Sequence, residues 1–90
     1  MSYKVTWLDV AFADLWNVWE SSDEQERPDV LQAAKEFDVL AERMPHELGE
    51  SRTPPRRVVF QGLLLITFRV DESQKRVIVV EVRPNRPRRG

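Results

Sequence analysis

The chain contains no cysteine, which excludes disulfides, thiolate nucleophiles and cysteine-based metal sites together. A reducing, cytoplasmic setting is the expectation that follows. It has one histidine, His46, and one tyrosine, Tyr3. No Ser/His/Asp constellation is laid out for that histidine to complete, and no cluster of histidines and carboxylates has metal-ligand spacing. The three glycines form no phosphate-cradling loop. Neither a metal nor a cofactor is expected. No apolar run approaches the roughly 20 residues that cross a bilayer. The opening MSYKVTWLDV has no basic leader followed by an apolar core. A soluble, unsecreted protein with no membrane partner is the expectation.

What is present is globular in composition, with 41% hydrophobic and 32% charged residues in 90. A chain of this size buries roughly 60% of its unfolded surface in one core. One domain is therefore expected over residues 1–83, followed by a basic Pro/Arg tail over 84–90. The net charge of −1 conceals a division. Residues 1–51 carry four basic against twelve acidic side chains, and residues 52–90 carry ten against three. A split of this kind favours an anionic partner on one face; its plainer reading is two solvated surfaces of opposite sign.

Tyr3, Val5 and Trp7 alternate with Lys4, Thr6 and Leu8, which predicts a short strand. Asp9 is placed to cap a helix in which Ala11, Phe12, Leu15, Val18 and Trp19 share a face. Asp23 and Glu26 have capping-box spacing, and Pro28 fits the first turn of a second helix. Val30, Ala34, Phe37, Ala41 and Met44, with Leu31 and Leu40, form its apolar stripe. Beyond a loop over 45–55, three strands are predicted at Arg56–Phe60, Leu63–Val70 and Arg76–Val82, where β-branched and aromatic residues dominate. The order β-α-α-β-β-β implies an α+β fold with two helices on one face of a mainly antiparallel sheet.

Alternation assigns Leu64, Ile66, Phe68 and Val70, with Ile78, Val80 and Val82, to the helix-covered face. Leu63, Leu65, Val77 and Val79 then fall on the opposite face beside arginines, an apolar patch suited to a partner chain. Trp7, Trp16 and Trp19 are expected in the core rather than stacked on bases.

On YKVTWLDVAFADLWNVW, on a second helix ending AERMP, on GESR before a basic strand, and on LLLITFRVD and RVIVVEVR, the sequence resembles the RelE/ParE superfamily of type II toxin–antitoxin toxins. The resemblance spans residues 3–83. It implies two helices against a twisted antiparallel sheet whose first strand lies beside the last, and a cognate antitoxin as partner. It also implies one of two activities, cleavage of mRNA on the ribosome (RelE-like) or non-nucleolytic inhibition of DNA gyrase (ParE-like). A binding module without toxicity is the third reading.

RNA cleavage through the 2′-hydroxyl needs a base, an acid and stabilisation of phosphate charge, and arginine supplies only the last well. The resemblance matches Arg52, Arg56 or Arg57, Arg69 and Arg83 to regions where the family carries its basic residues, and Arg52, Arg57, Arg69 and Arg83 are the catalytic candidates it implies. Arg56, Arg86, Arg88 and Arg89 are candidates for holding nucleic acid, and Leu63, Leu65, Val77 and Val79 for holding the antitoxin. The chain departs from the family pattern at Leu65, where many members carry arginine, and at Pro84-Asn85, where many carry histidine. Each arginine also has a structural alternative: Arg56 and Arg57 could pair with Glu47 and Glu50, and Arg69 with a turn carboxylate. His46 is expected to be solvated or a cap.

Overall fold

A computed structural model describes residues 2–85 of the chain. The element order is β1 (Lys4–Trp7), α1 (Asp9–Glu20), α2 (Arg27–Arg43), β2 (Glu50–Ser51), β3 (Arg56–Gln61), β4 (Leu64–Asp71) and β5 (Arg76–Pro84). The five strands form one sheet in the order β1-β5-β4-β3-β2. All neighbours are antiparallel except β1 and β5, which run parallel in the register Lys4↔Arg76 to Trp7↔Val79. The expected α+β order is observed, with the first strand beside the last. The sheet is mixed, and β2 is a two-residue strand within what the sequence presents as loop.

The helix-covered face carries the core. Leu64, Ile66 and Phe68 of β4 and Val59 of β3 meet Val30, Ala33, Ala34, Phe37 and Ala41 of α2 and Ala11, Leu15 and Val18 of α1. Phe37 and Phe68 are fully buried and pack edge to face, their centroids 5.2 Å apart, and Trp7 also meets Phe37 edge to face at 6.2 Å. Each such phenylalanine contributes about 2–3 kcal/mol by leaving water. The Trp7 indole donates to Asp38 Oδ1 at 2.8 Å, and burial raises the Asp38 carboxyl above its ordinary range.

The helical hairpin is closed by one arginine. No basic residue stands in the last turn of α1, where exposed carbonyls favour a cation. Arg27 from the start of α2 fills that position, donating to the carbonyls of Trp19 and Glu20 with its guanidinium 4.2 Å from the Trp19 ring centroid. Asp23 and Glu26 act as half of a capping box: the Glu26 carboxylate accepts the Asp23 amide at 3.3 Å. Asp9 makes no side-chain cap, and Leu8 occupies that position.

One irregularity overturns the sequence assignment of β5. Thr67 pairs with Glu81 but Phe68 pairs with Val79, so Val80 is an extra residue in a β-bulge. Counting alternation back from Val82 therefore puts Ile78 and Val80 on the wrong side of the phase change. Val77 and Val79 are fully buried and Val82 nearly so, and all three belong to the core. No helix of the described residues is long and apolar enough to cross a membrane.

Candidate phosphate-binding face

The sheet face away from the helices bears the arginines. In β3 the alternation that buries Val59 turns Arg56, Val58 and Phe60 outward, opposite Arg69, Thr67 and Leu65 of β4. Arg52, Thr53, Pro54, Pro55 and Arg56 form one wall of a cleft of about 520 Å³, and Thr67, Arg69 and Glu81 form the other. The Pro54–Pro55 peptide is cis. Arg56 and Arg69 are exposed and directly opposed across the ladder. Like charges facing one another across two strands are destabilising. Neither has an ion pair with a described residue, and the turn carboxylate of Asp71 is occupied by the Ser73 hydroxyl at 2.7 Å and the Gln74 amide at 3.2 Å. The pair thus presents two exposed guanidinium forks, groups whose geometry suits anionic oxygens.

The sequence candidates divide accordingly. Arg52, Arg56 and Arg69 converge on the cleft, with Arg52 3.8 Å from Glu50 at the rim. Arg57 does not join them. Strand alternation sends it to the other side, where its guanidinium donates to the carbonyls of Leu48 and Gly49, both at 3.1 Å. It ties the approach loop to β3, in place of the expected pairing with Glu47 or Glu50. Arg83 lies one groove along, donating to Glu81 Oε2 at 2.7 Å. That contact first, and Arg56 more weakly, hold the Glu81 carboxyl below its ordinary range. Arg86, Arg88 and Arg89 lie outside the described residues.

The apolar patch is corrected in membership. Val77 and Val79 are in the core because the Val80 bulge shifts the phase of β5, and Leu63, in the β3–β4 turn, packs partly against the core. Leu65 keeps its outward place, joined by Val58, Phe60 and Ile78 through the pairs Phe60↔Leu65, Val58↔Thr67 and Arg69↔Ile78. Phe60 is 63% exposed. On α1, Trp16 is not in the core either. It stacks outside on Trp19, with centroids 5.0 Å apart, in an exposed stripe with Leu8 and Phe12.

A second group of polar side chains gathers at the same end of the sheet. Glu72, in the β4–β5 turn, accepts the Tyr3 hydroxyl at 2.6 Å, lies 2.6 Å from His46 Nε2 and pairs with Lys75. The His46 and Tyr3 rings meet edge to face at 5.9 Å. His46 is therefore in a network rather than merely solvated. Only the fold brings residues 3, 46 and 72 together, and no spacing in the sequence signals it.

Lys75 first, then Tyr3 and His46, lower the Glu72 carboxyl to about 2 from an ordinary value of 4.5. A carboxyl depressed in the folded state stabilises fully above its unfolded value, and that contribution is lost as pH falls. Between pH 4.5 and 2, the stability of Glu72→Gln is therefore expected to fall less steeply than that of the wild type in urea melts. Some slope remains, because Asp71 and Glu81 are also depressed. Parallel curves for the two proteins would refute the network.

Comparison with solved structures places this architecture. The toxin–antitoxin complex RelBE2 from Mycobacterium tuberculosis matches over 94% of this chain and 100% of its own, at 22% identity and TM-score 0.73. The chain has the RelE/ParE toxin-like fold. The chromosomal ParDE system from P. aeruginosa matches over 91% and 95%, at 18% identity and TM-score 0.70. The archaeal RelE–RelB complex from Pyrococcus horikoshii OT3 matches over 93% and 96%, at 16% identity and TM-score 0.58. No family model and no curated protein matches the sequence. The RelE/ParE-like β4 and β5 are the strands that carry Arg69 and Arg83.

Proposed function

We propose that the protein is the toxin of a type II toxin–antitoxin pair and a RelE-like, ribosome-dependent mRNA endonuclease held inactive by a cognate antitoxin. The observation that carries this reading is the Arg56–Arg69 couple, without an ion pair among the described residues, in an open cleft of a RelE/ParE-like sheet. Two guanidinium forks lining one cleft suit a phosphodiester, whose charge rises during displacement. The apolar residues beside them, Phe60 and Leu65, give an antitoxin segment something to cover.

A ParE-like reading, in which the same face binds DNA gyrase and no bond is cut, is supported by the likeness to the ParDE structure. It requires no proton transfer. Expression of the protein alone, followed by mapping of cuts in translated mRNA, separates the two. Cuts at A-site codons are expected. Intact mRNA with growth arrest and accumulated DNA breaks would favour gyrase, and unaffected growth would favour a binding module without toxicity.

A further inference from the structure

Two exposed apolar patches lie on opposite layers of the molecule, and they differ in charge. In the helical layer Leu8, Phe12 and Trp16 follow one another along α1 and its N-cap at four-residue intervals, all exposed. Two of these rings are already held: Phe12 leans on Trp7 with centroids 6.4 Å apart, and Trp16 stacks on Trp19. Aromatic groups fixed in this way lose little freedom when a partner covers them. The helix itself carries Asp9, Asp14 and Glu20 and no basic side chain. Asp9 and Glu20 are exposed, and neither has an ion pair with a described residue. The second patch is the sheet face away from the helices, where Val58, Phe60 and Leu65 lie beside Arg56 and Arg69. Glu81, the carboxylate of that cleft, is paired with Arg83. Each surface repels its own kind. Two α1 stripes face to face would set carboxylate against carboxylate, and two sheet faces would set arginine against arginine. Stripe against sheet brings ring to apolar side chain and carboxylate to guanidinium.

We propose that the α1 stripe of one copy docks on the arginine-bearing sheet face of a second, so that the free protein associates head to tail and each contact covers one arginine cleft. The interface is heterologous. Every copy uses one patch and leaves the other open, so copies add in series or close a ring rather than stopping at a two-fold pair. Association is thereby a form of self-masking, because a copy whose sheet face is covered presents neither Arg56 nor Arg69 to an anion. The inference needs only the two patches and stands whether or not the protein cuts RNA.

The test is sedimentation equilibrium of the whole chain, without mRNA or a partner protein, in a concentration series reaching roughly 1 mM. The weight-average mass is expected to rise with concentration at roughly 0.1 M salt. At roughly 1 M, where the Debye length has fallen from about 10 Å to about 3 Å, the apparent dissociation constant is expected to weaken by about tenfold or more. Phe12→Ala with Trp16→Ala removes one patch, and Arg56→Ala with Arg69→Ala removes the other. Each double variant alone is expected to stay monomeric and to keep a cooperative thermal melt. Mixed in equal amounts, the two are expected to form a one-to-one pair, since the first keeps its sheet face and the second its stripe. Glu20→Lys guards against a helix variant that fails to fold: it suits the helix dipole and is expected to weaken association all the same. A wild type that stays monomeric throughout the series overturns the proposal. So does a mixture in which the two folded variants remain apart, or a folded double variant that associates as strongly as the wild type. Intact mRNA in the expression test leaves it standing.

Discussion

Replacing Arg56 and Arg69 together with alanine is expected to abolish growth arrest by the protein expressed alone while leaving it folded. Each guanidinium–phosphate contact is a charge-assisted hydrogen bond of about 1.5–3 kcal/mol, so losing both weakens phosphate binding by roughly 10²–10⁴-fold. The fold loses little, because both side chains are exposed and neither has an ion pair among the described residues. Relief of their mutual repulsion across β3 and β4 offsets part of any lost packing. Growth arrest scored beside a thermal melt checks this. Arg57→Ala is the control with the opposite signature: it frees two loop carbonyls and should lower the melting temperature more than either outward arginine. Toxicity retained by a folded Arg56/Arg69 double variant would remove the cleft from the mechanism.

Gly49→Ala is expected to be the most damaging single substitution in the approach loop. Gly49 has φ +69°, and a Cβ built there would stand 2.1 Å from the Val58 carbonyl oxygen. The left-handed conformation alone costs a non-glycine residue about 1–2 kcal/mol, and a contact that short with backbone forces β2 away from β3. The total is roughly 3 kcal/mol or more, in the range reserved for named structural faults. The damage should spread to function, since the Gly49 carbonyl is one of the two that Arg57 holds and the same loop carries Arg52. Chemical denaturation of the variant measures the first effect. A wild-type midpoint would show that the loop has another low-energy course.

Much of the fold is legible because it rests on local periodicity. The α2 stripe around Phe37 and the alternation through Leu64, Ile66 and Phe68 each name their buried face without knowledge of the partner. What escapes is set by single-residue phase and by long-range contact. Arg56 and Arg57 are equivalent in composition, and only their place in the alternation of β3, fixed by the pairing with β4, separates the cleft arginine from the loop clamp. The Val80 bulge leaves no mark in a run of valines. Trp16 has the size and spacing of a core residue, yet the small Ala11 and branched Val18 take the inner side of α1 and leave Trp16 56% exposed. The Tyr3–His46–Glu72 network joins segments that the sequence gives no reason to associate.

The bulge gives β5 two allegiances. Its first half, Arg76–Val79, runs beside β1, while beyond the extra residue the Val82 amide turns to Asp14 of α1 at 3.1 Å. On its β1 edge the strand thus changes neighbour from strand to helix partway along, while on the other edge it stays paired with β4 as far as Pro84. Val80 acts as a spacer: without it Glu81, Val82 and Arg83 would keep their faces but be drawn one residue back along the strand, away from their present place beside Asp14 and Asn17 of α1. Length at this point, rather than side-chain identity, governs where the end of β5 meets the helical layer.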